Sequence, residues 1–134
     1  MLIPTICFQG NCDEAITFYK EVVGAEVKTI NYLRDAPKGF AMEGFTSPNH
    51  VIHSDVVIYN TTISMLDGGT KPITEGYFSL TLFLNTPGEV ISVFNKLAAS
   101  GKINTALAPQ FWATLCGDVV DRFGVHWHLL CAKE

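Results

Sequence analysis

Residues 14–19 read EAITFY, and residues 89–94 read EVISVF. They lie 75 positions apart, and the same shift sets ICF (6–8) beside TLF (81–83) and Asn11 beside Thr86. Each stretch has the marks of an amphipathic helix with a defined start. Asn11 and Thr86 stand where N-caps belong, and Glu14 and Glu89 follow three residues later, as a capping box requires. Pro87 suits the first turn of the second helix. Ala15, Ile16, Tyr19, Val22 and Val23 fall on one face of the first helix, and Ile91, Phe94, Leu97 and Ala98 on one face of the second. Gly24 and Gly101 are suited to end them.

Strand-like runs surround both helices. In the first half they are Pro4–Phe8, Ala25–Tyr32, Ile52–Tyr59 and Thr61–Leu66, the last two joined tightly around Asn60 as in a hairpin. In the second half they are Phe78–Leu84, Ile103–Leu107, Ala113–Val120 and Val125–Cys131. The pattern predicts an α+β fold made of two tandem βαβββ modules, about 1–70 and about 74–134, forming a single domain over 1–134. The stretch 34–50 is rich in Gly and Pro and has no clean period, so it reads as a long connection of the kind that lines a site.

Composition narrows the function. The chain has 134 residues, is 48% hydrophobic and carries a net charge of −4. An acidic balance without Lys/Arg runs argues against nucleic acid, whose phosphates call for a basic face, and against a polybasic membrane contact. Apolar runs are broken well before membrane-spanning length. No signal peptide is visible at the N-terminus. Cys7, Cys12, Cys116 and Cys131 form no CxxC pair, so free thiols in a reducing cytoplasm are expected. No glycine-rich phosphate loop follows a strand, which speaks against a nucleotide-type cofactor.

Three stretches carry a resemblance: GNCDEAITFYKEVVGAEV (10–27), FW (111–112) and DRFGVHW (121–127). With nearly the whole chain, they resemble the PhnB-like branch of the vicinal oxygen chelate superfamily, which includes glyoxalase I, bleomycin-resistance proteins and extradiol dioxygenases. The resemblance implies the glyoxalase/bleomycin-resistance-like fold, with cupped mixed sheets, and a homodimer. Metal enzymes of the superfamily take His or Glu ligands from the first and last strands of each module. By resemblance those positions fall on Pro4, Ser64, Ser79 and His128. Proline offers no donor, and serine hydroxyls are poor ligands beside imidazole and carboxylate. The resemblance therefore implies that the inherited metal site is lost.

In the GVHWHLL stretch (124–130), strand alternation sends His126 and His128 to one face and Trp127 to the other. His53 and Asp55 share a face in the same way. The expected ligand pocket gathers His53, Asp55, Ser64, Ser79, Phe111, Trp112, His126 and His128, with no metal and no cofactor. Phe40, Phe45, Phe111, Trp112 and Trp127 are candidates to frame a pocket that stacks a flat ligand, with core packing the default for each. Trp127 is expected to pack against a helix. Arg122 is a candidate to hold a ligand carboxylate or phosphate, or to form a surface ion pair.

The expected function is a metal-independent protein that binds a small, perhaps planar, molecule. The alternative is a metal-dependent enzyme of lyase, isomerase or dioxygenase type, with a divalent metal held in a rebuilt site by His53, His126 and His128, aided by Asp55 or Glu43. Metal-free catalysis with His53 or His128 as general base also stays open. Cys116 would act as a nucleophile only if a neighbour lowered its pKa.

Overall fold

The structure, a computed structural model, describes residues 1–41, 43–68 and 78–133. The chain divides into two compact units, Met1–Pro72 and Ile73–Glu134. The first holds β1 (Thr5–Cys7), α1 (Cys12–Val23), β2 (Glu26–Tyr32), a short 3-10 turn (Leu33–Asp35), β3 (Val51–Ile58) and β4 (Thr61–Leu66). The second holds β5 (Leu80–Phe83), α2 (Pro87–Ala98), β6 (Lys102–Gln110), β7 (Ala113–Val120) and β8 (His126–Ala132). The βαβββ order expected from the sequence is present in both, and the class is α+β. The sheets run β1-β4-β3-β2 and β5-β8-β7-β6. In each, the first and last strands of the module pair in parallel, and the other neighbours are antiparallel.

β6 runs past Leu107, where the pattern placed its end, and carries Pro109. It is an edge strand, and an edge strand tolerates a residue that cannot donate to a ladder.

Each sheet has its helix on one face. α1 buries Cys12, Ala15, Ile16, Tyr19 and Val23 and packs on β3, whose Val56 and Ile58 are buried with Ile63 and Met65 of β4. α2 buries Val90, Val93, Phe94 and Leu97 against β7 and β8. Ile91, expected inward, is 45% exposed. The reason lies at Gly117, where a Cβ would stand 2.9 Å from Phe94 Cε2. The ring needs that bare backbone, and seating it there leaves Val90 and Val93 inward and Ile91 outward.

Gly24 takes the left-handed conformation at the end of α1, with φ 64°. Gly101 serves a different end from the one expected. α2 stops at Ala99 in right-handed geometry, while a Cβ on Gly101 would collide with the Val120 carbonyl, so this glycine permits close approach to β7.

The two helix starts also differ. Thr86 Oγ1 accepts from Glu89 N at 3.1 Å, as its pattern predicted. Asn11 makes no side-chain cap. Its place is taken by Asp67, just beyond β4 and almost fully buried. Asp67 Oδ1 accepts from Gly10 N at 2.8 Å and Cys12 N at 3.0 Å, and Oδ2 from Val51 N at 2.9 Å. Because β4 lies parallel to β1, it ends where β1 hands over to α1. A carboxylate there meets unpaired N–H groups and the positive end of the helix dipole. Its charge also helps to raise the Cys12 thiol, whose burial is the larger cause, well above the usual thiol range.

At the far end of β2, Tyr32 Oη donates to Asp13 Oδ1 at 2.6 Å, tying that strand to the first turn of α1. Arg34 lies over the Tyr32 ring, 4.0 Å from its centroid.

Asp67→Ala orphans three backbone donors and should lower stability by about 3 kcal/mol or more, whereas Asn11→Ala should change it by less than about 0.5 kcal/mol; urea unfolding of both variants measures the contrast. The bond to Asp13, with burial a lesser cause, pushes the Tyr32 hydroxyl up to about 12. Protonated Tyr32 is thus favoured by the folded state, and its contribution is whole below the usual tyrosine value of about 10 and lost as pH rises towards the folded value. Ultraviolet titration should show one tyrosine ionising near 12, and Asp13→Asn should return it towards the usual value.

Candidate functional site

On each sheet, the residues that alternate with the helix-facing core form a polar row across all four strands. In the first module, Thr5 of β1 is paired with Ser64 of β4, Ser64 with Asp55 of β3, and Asp55 with Thr29 of β2. In the second, Thr81 of β5 is paired with His128 of β8, His128 with Asp118 of β7, and Asp118 with Thr105 of β6. Paired residues point to the same side of a sheet. The rows therefore match position for position: threonine, serine or histidine, aspartate, threonine.

Their internal bonding differs. Thr29 Oγ1 donates to Asp55 Oδ2 at 3.1 Å. His53 Nε2 stands 3.8 Å from Asp55 Oδ1, too long for a hydrogen bond. In the second module, His128 Nδ1 lies 2.6 Å from Asp118 Oδ1, and both side chains are half-buried.

The sequence-predicted residues are distributed as follows. His53, Asp55 and Ser64 stand together on one face of the first sheet, and His126 and His128 on one face of the second. Ser79 lies before β5 and is exposed; Thr81, two residues on, holds the place beside His128. Likewise Thr5, not Pro4, is the partner of Ser64, and Pro4 contributes its carbonyl to Ser64 N. Phe111 and Trp112 form an edge-to-face pair 4.7 Å apart at the tip of the β6–β7 hairpin. Trp112 stands six positions before Asp118 and Phe111 seven, roughly 20 Å or more at strand rise, and they do not line that row.

His126 Nε2 is buried without a hydrogen-bond partner. Trp127 is buried on the helix side, as expected, and its Nε1 donates to Asp121 Oδ2 at 2.9 Å. Asp121 Oδ1 accepts from Phe123 N and Val125 N. Asp121 thus builds the turn into β8. Arg122 rests its guanidinium over the Phe123 ring, 4.5 Å from the centroid. Cys116 is buried, and burial, then the Asp118 charge, pushes its thiol up, the opposite of what a nucleophile needs. The 34–50 connection contributes Pro37, Phe40, Glu43 and Phe45, with Leu33, to an open cleft of about 460 Å³.

Asp118, Thr81, Thr29 and Thr105 were not foreseen. A signal for Asp118 existed: aspartate is uncommon inside a strand. It also stands ten positions before His128, much as Asp55 stands nine before Ser64.

These positions can be tested against the metal that the superfamily carries. The first module offers Thr5 and Ser64, and the second Thr81 and one imidazole whose Nδ1 already faces a carboxylate. Among the described residues, no group of three or more His, Cys, Asp or Glu side chains is arranged to hold a metal ion. Alcohols with a lone imidazole do not fit a divalent transition metal.

A family model described as 3-demethylubiquinone-9 3-methyltransferase matches residues 1–130. The chain belongs to this family, the PhnB-like branch of the vicinal oxygen chelate superfamily. Protein YjdN of Escherichia coli (strain K12) is 34% identical, over 99% of this chain and 96% of its own length. Among solved structures, protein PA1353 from Pseudomonas aeruginosa has a TM-score of 0.84 and 26% identity, covering 100% of this chain and 98% of its own. A PhnB protein from Bacillus cereus, titled a putative 3-demethylubiquinone-9 3-methyltransferase, has a TM-score of 0.81 at 24% identity, with 98% of both chains covered. A glyoxylase/bleomycin resistance protein/dioxygenase domain from Frankia shares the fold, with a TM-score of 0.68 at 11% identity over 98% of this chain and 94% of its own. Among the described residues, no helix of this PhnB-like chain is long and apolar enough to cross a membrane.

Proposed function

We propose that this PhnB-like protein binds a small, planar organic molecule without a metal ion, in the reducing cytoplasm that its unpaired cysteines suit. The observation that carries the reading is the donor set of the two rows. Most donors in the rows are hydroxyls, which are weak anchors for a transition metal, and Asp55 and Asp118 are already engaged by Thr29 and His128. Yet such groups are good hydrogen-bonding partners for an organic ligand laid on a sheet. Aromatic side chains add support: Phe40 and Phe45 line a cleft whose volume lies within the usual range for small-molecule sites, about 300–1,000 Å³.

The family description names a methyltransferase. A nucleotide-type methyl donor is usually cradled by a glycine-rich turn leading from a strand into a helix. The strand-to-helix turns here read FQGN (8–11) and LNT (84–86), with Gly10 alone between them. Binding is therefore preferred to group transfer.

The protein purified without a His-tag should contain far less than one transition metal ion per chain by elemental analysis, and His128→Ala should leave that figure unchanged. Stoichiometric Zn, Mn, Ni or Fe that is lost in His128→Ala would overturn the reading in favour of a rebuilt metal site. We also propose a homodimer, since the second module exposes Phe78, Phe83, Ile103, Phe111 and Trp112, apolar side chains that a second copy would cover. Sedimentation at micromolar concentration should show a dimer; monomer alone would remove that part.

A further inference from the structure

Resting on this binding reading, we infer that the His128 face of the second sheet takes a ligand bearing an acidic hydroxyl, phenolic or enolic in type. That hydroxyl donates to His128 Nε2, and Asp118 is the positioning residue. The first link is the 2.6 Å contact between His128 Nδ1 and Asp118 Oδ1. A carboxylate brings acceptors only, so the proton in this bond belongs to Nδ1. In a neutral imidazole one nitrogen donates and the other accepts, so Nε2 becomes the acceptor. Asp118 fixes that tautomer, as carboxylates do for histidines elsewhere.

His128 has no other hydrogen-bond partner among the described residues. Its side chain keeps 24% of its surface exposed, and Asp118 keeps 39%. The reachable groups of this dyad are thus acceptors: Nε2 and the second carboxylate oxygen. Thr81 and Thr105 flank it in the row and adapt to either role. Such a face repels a carboxylate or phosphate and favours a donor. An imidazole nitrogen acceptor gains most from the more acidic donor, which selects a phenol or enol over an alkyl alcohol.

The first module repeats the geometry without the device. Asp55 is engaged by Thr29, Ser64 replaces the histidine, and His53 is too distant to be fixed by the carboxylate. The donor requirement therefore belongs to the second module alone.

The test joins two measurements on the intact protein. Nitrogen–proton correlation NMR of histidine-labelled protein at mildly alkaline pH should show His128 protonated at Nδ1 and bare at Nε2, and Asp118→Asn should shift the population towards the other tautomer. A proton on Nε2 in the unmodified protein overturns the inference. Fluorescence titration with naphthol and its methyl ether, equal in shape but not in donor, should favour naphthol by about tenfold. That preference should fall below about threefold in both Asp118→Asn and His128→Gln, with thermal unfolding confirming that each variant folds. Equal affinity for the two compounds, or a preference unchanged in Asp118→Asn, overturns the donor assignment while leaving the binding function standing. Binding of neither compound overturns both.

Discussion

One helix can shield one face of a four-stranded sheet and no more. In each module that constraint sorts most strand residues by parity, because successive side chains point to opposite sides. On β4, Ile63 and Met65 face the helix while Ser64 does not. On β8, Trp127 and Leu129 face inward while His128 does not. The helix-facing side is filled with apolar groups, and the polar groups buried there are well bonded. Ser54 donates to the Met65 carbonyl, Asp67 accepts three backbone N–H bonds, and Asp121 holds a turn and an indole. The polar rows are left to the opposite face, where strand pairing assembles them, in the second module beside the buried pair Cys116 and Leu130.

The fold was legible because its signals are local. Alternation within strands and the 3.6 period of EAITFY and EVISVF need only a few neighbouring residues. Errors arose where the deciding partner is distant in sequence. Asn11 has the right chemistry for an N-cap, but Asp67, 55 residues beyond Cys12, reaches the same donors with a full charge. Ile91 has the right period, but a bare Gly117 on another strand sets how α2 is turned. The aromatic pair at Phe111–Trp112 suggested a pocket, and nothing local could show that it crowns a hairpin tip.

The candidate site was half legible for the same reason. Which residues share a face follows from parity, so His53 with Asp55, and His126 with His128, could be read directly. Which residues stand side by side on different strands depends on register. Ser79 was off by two, and Thr5 and Thr81 could not be found, because the register of a parallel pair distant in sequence leaves no short-range trace. Thr29 and Thr105 lie in antiparallel ladders where register shifts break the count. Asp118 was the costliest omission: without it, His128 looks like a lone imidazole.

The duplication then separates what the fold demands from what this chain has specialised. The threonine–aspartate–threonine frame appears in both modules, so it is the part that a mixed βαβββ sheet supports by itself. The inner position differs, Ser64 in one and His128 in the other, and that difference changes the carboxylate's task. Asp55 holds a neighbouring hydroxyl, and its geometry fixes no tautomer. Asp118 holds an imidazole, and through it reaches a nitrogen a full ring-width further from the sheet. In DRFGVHW, Asp121 and Trp127 are occupied with the turn and the core, and the histidine beyond them stands free to face a ligand. β8 thus divides by parity around that histidine: Trp127 and Leu129 are buried on the helix side, and His128 between them carries an acceptor whose direction is set by a charge.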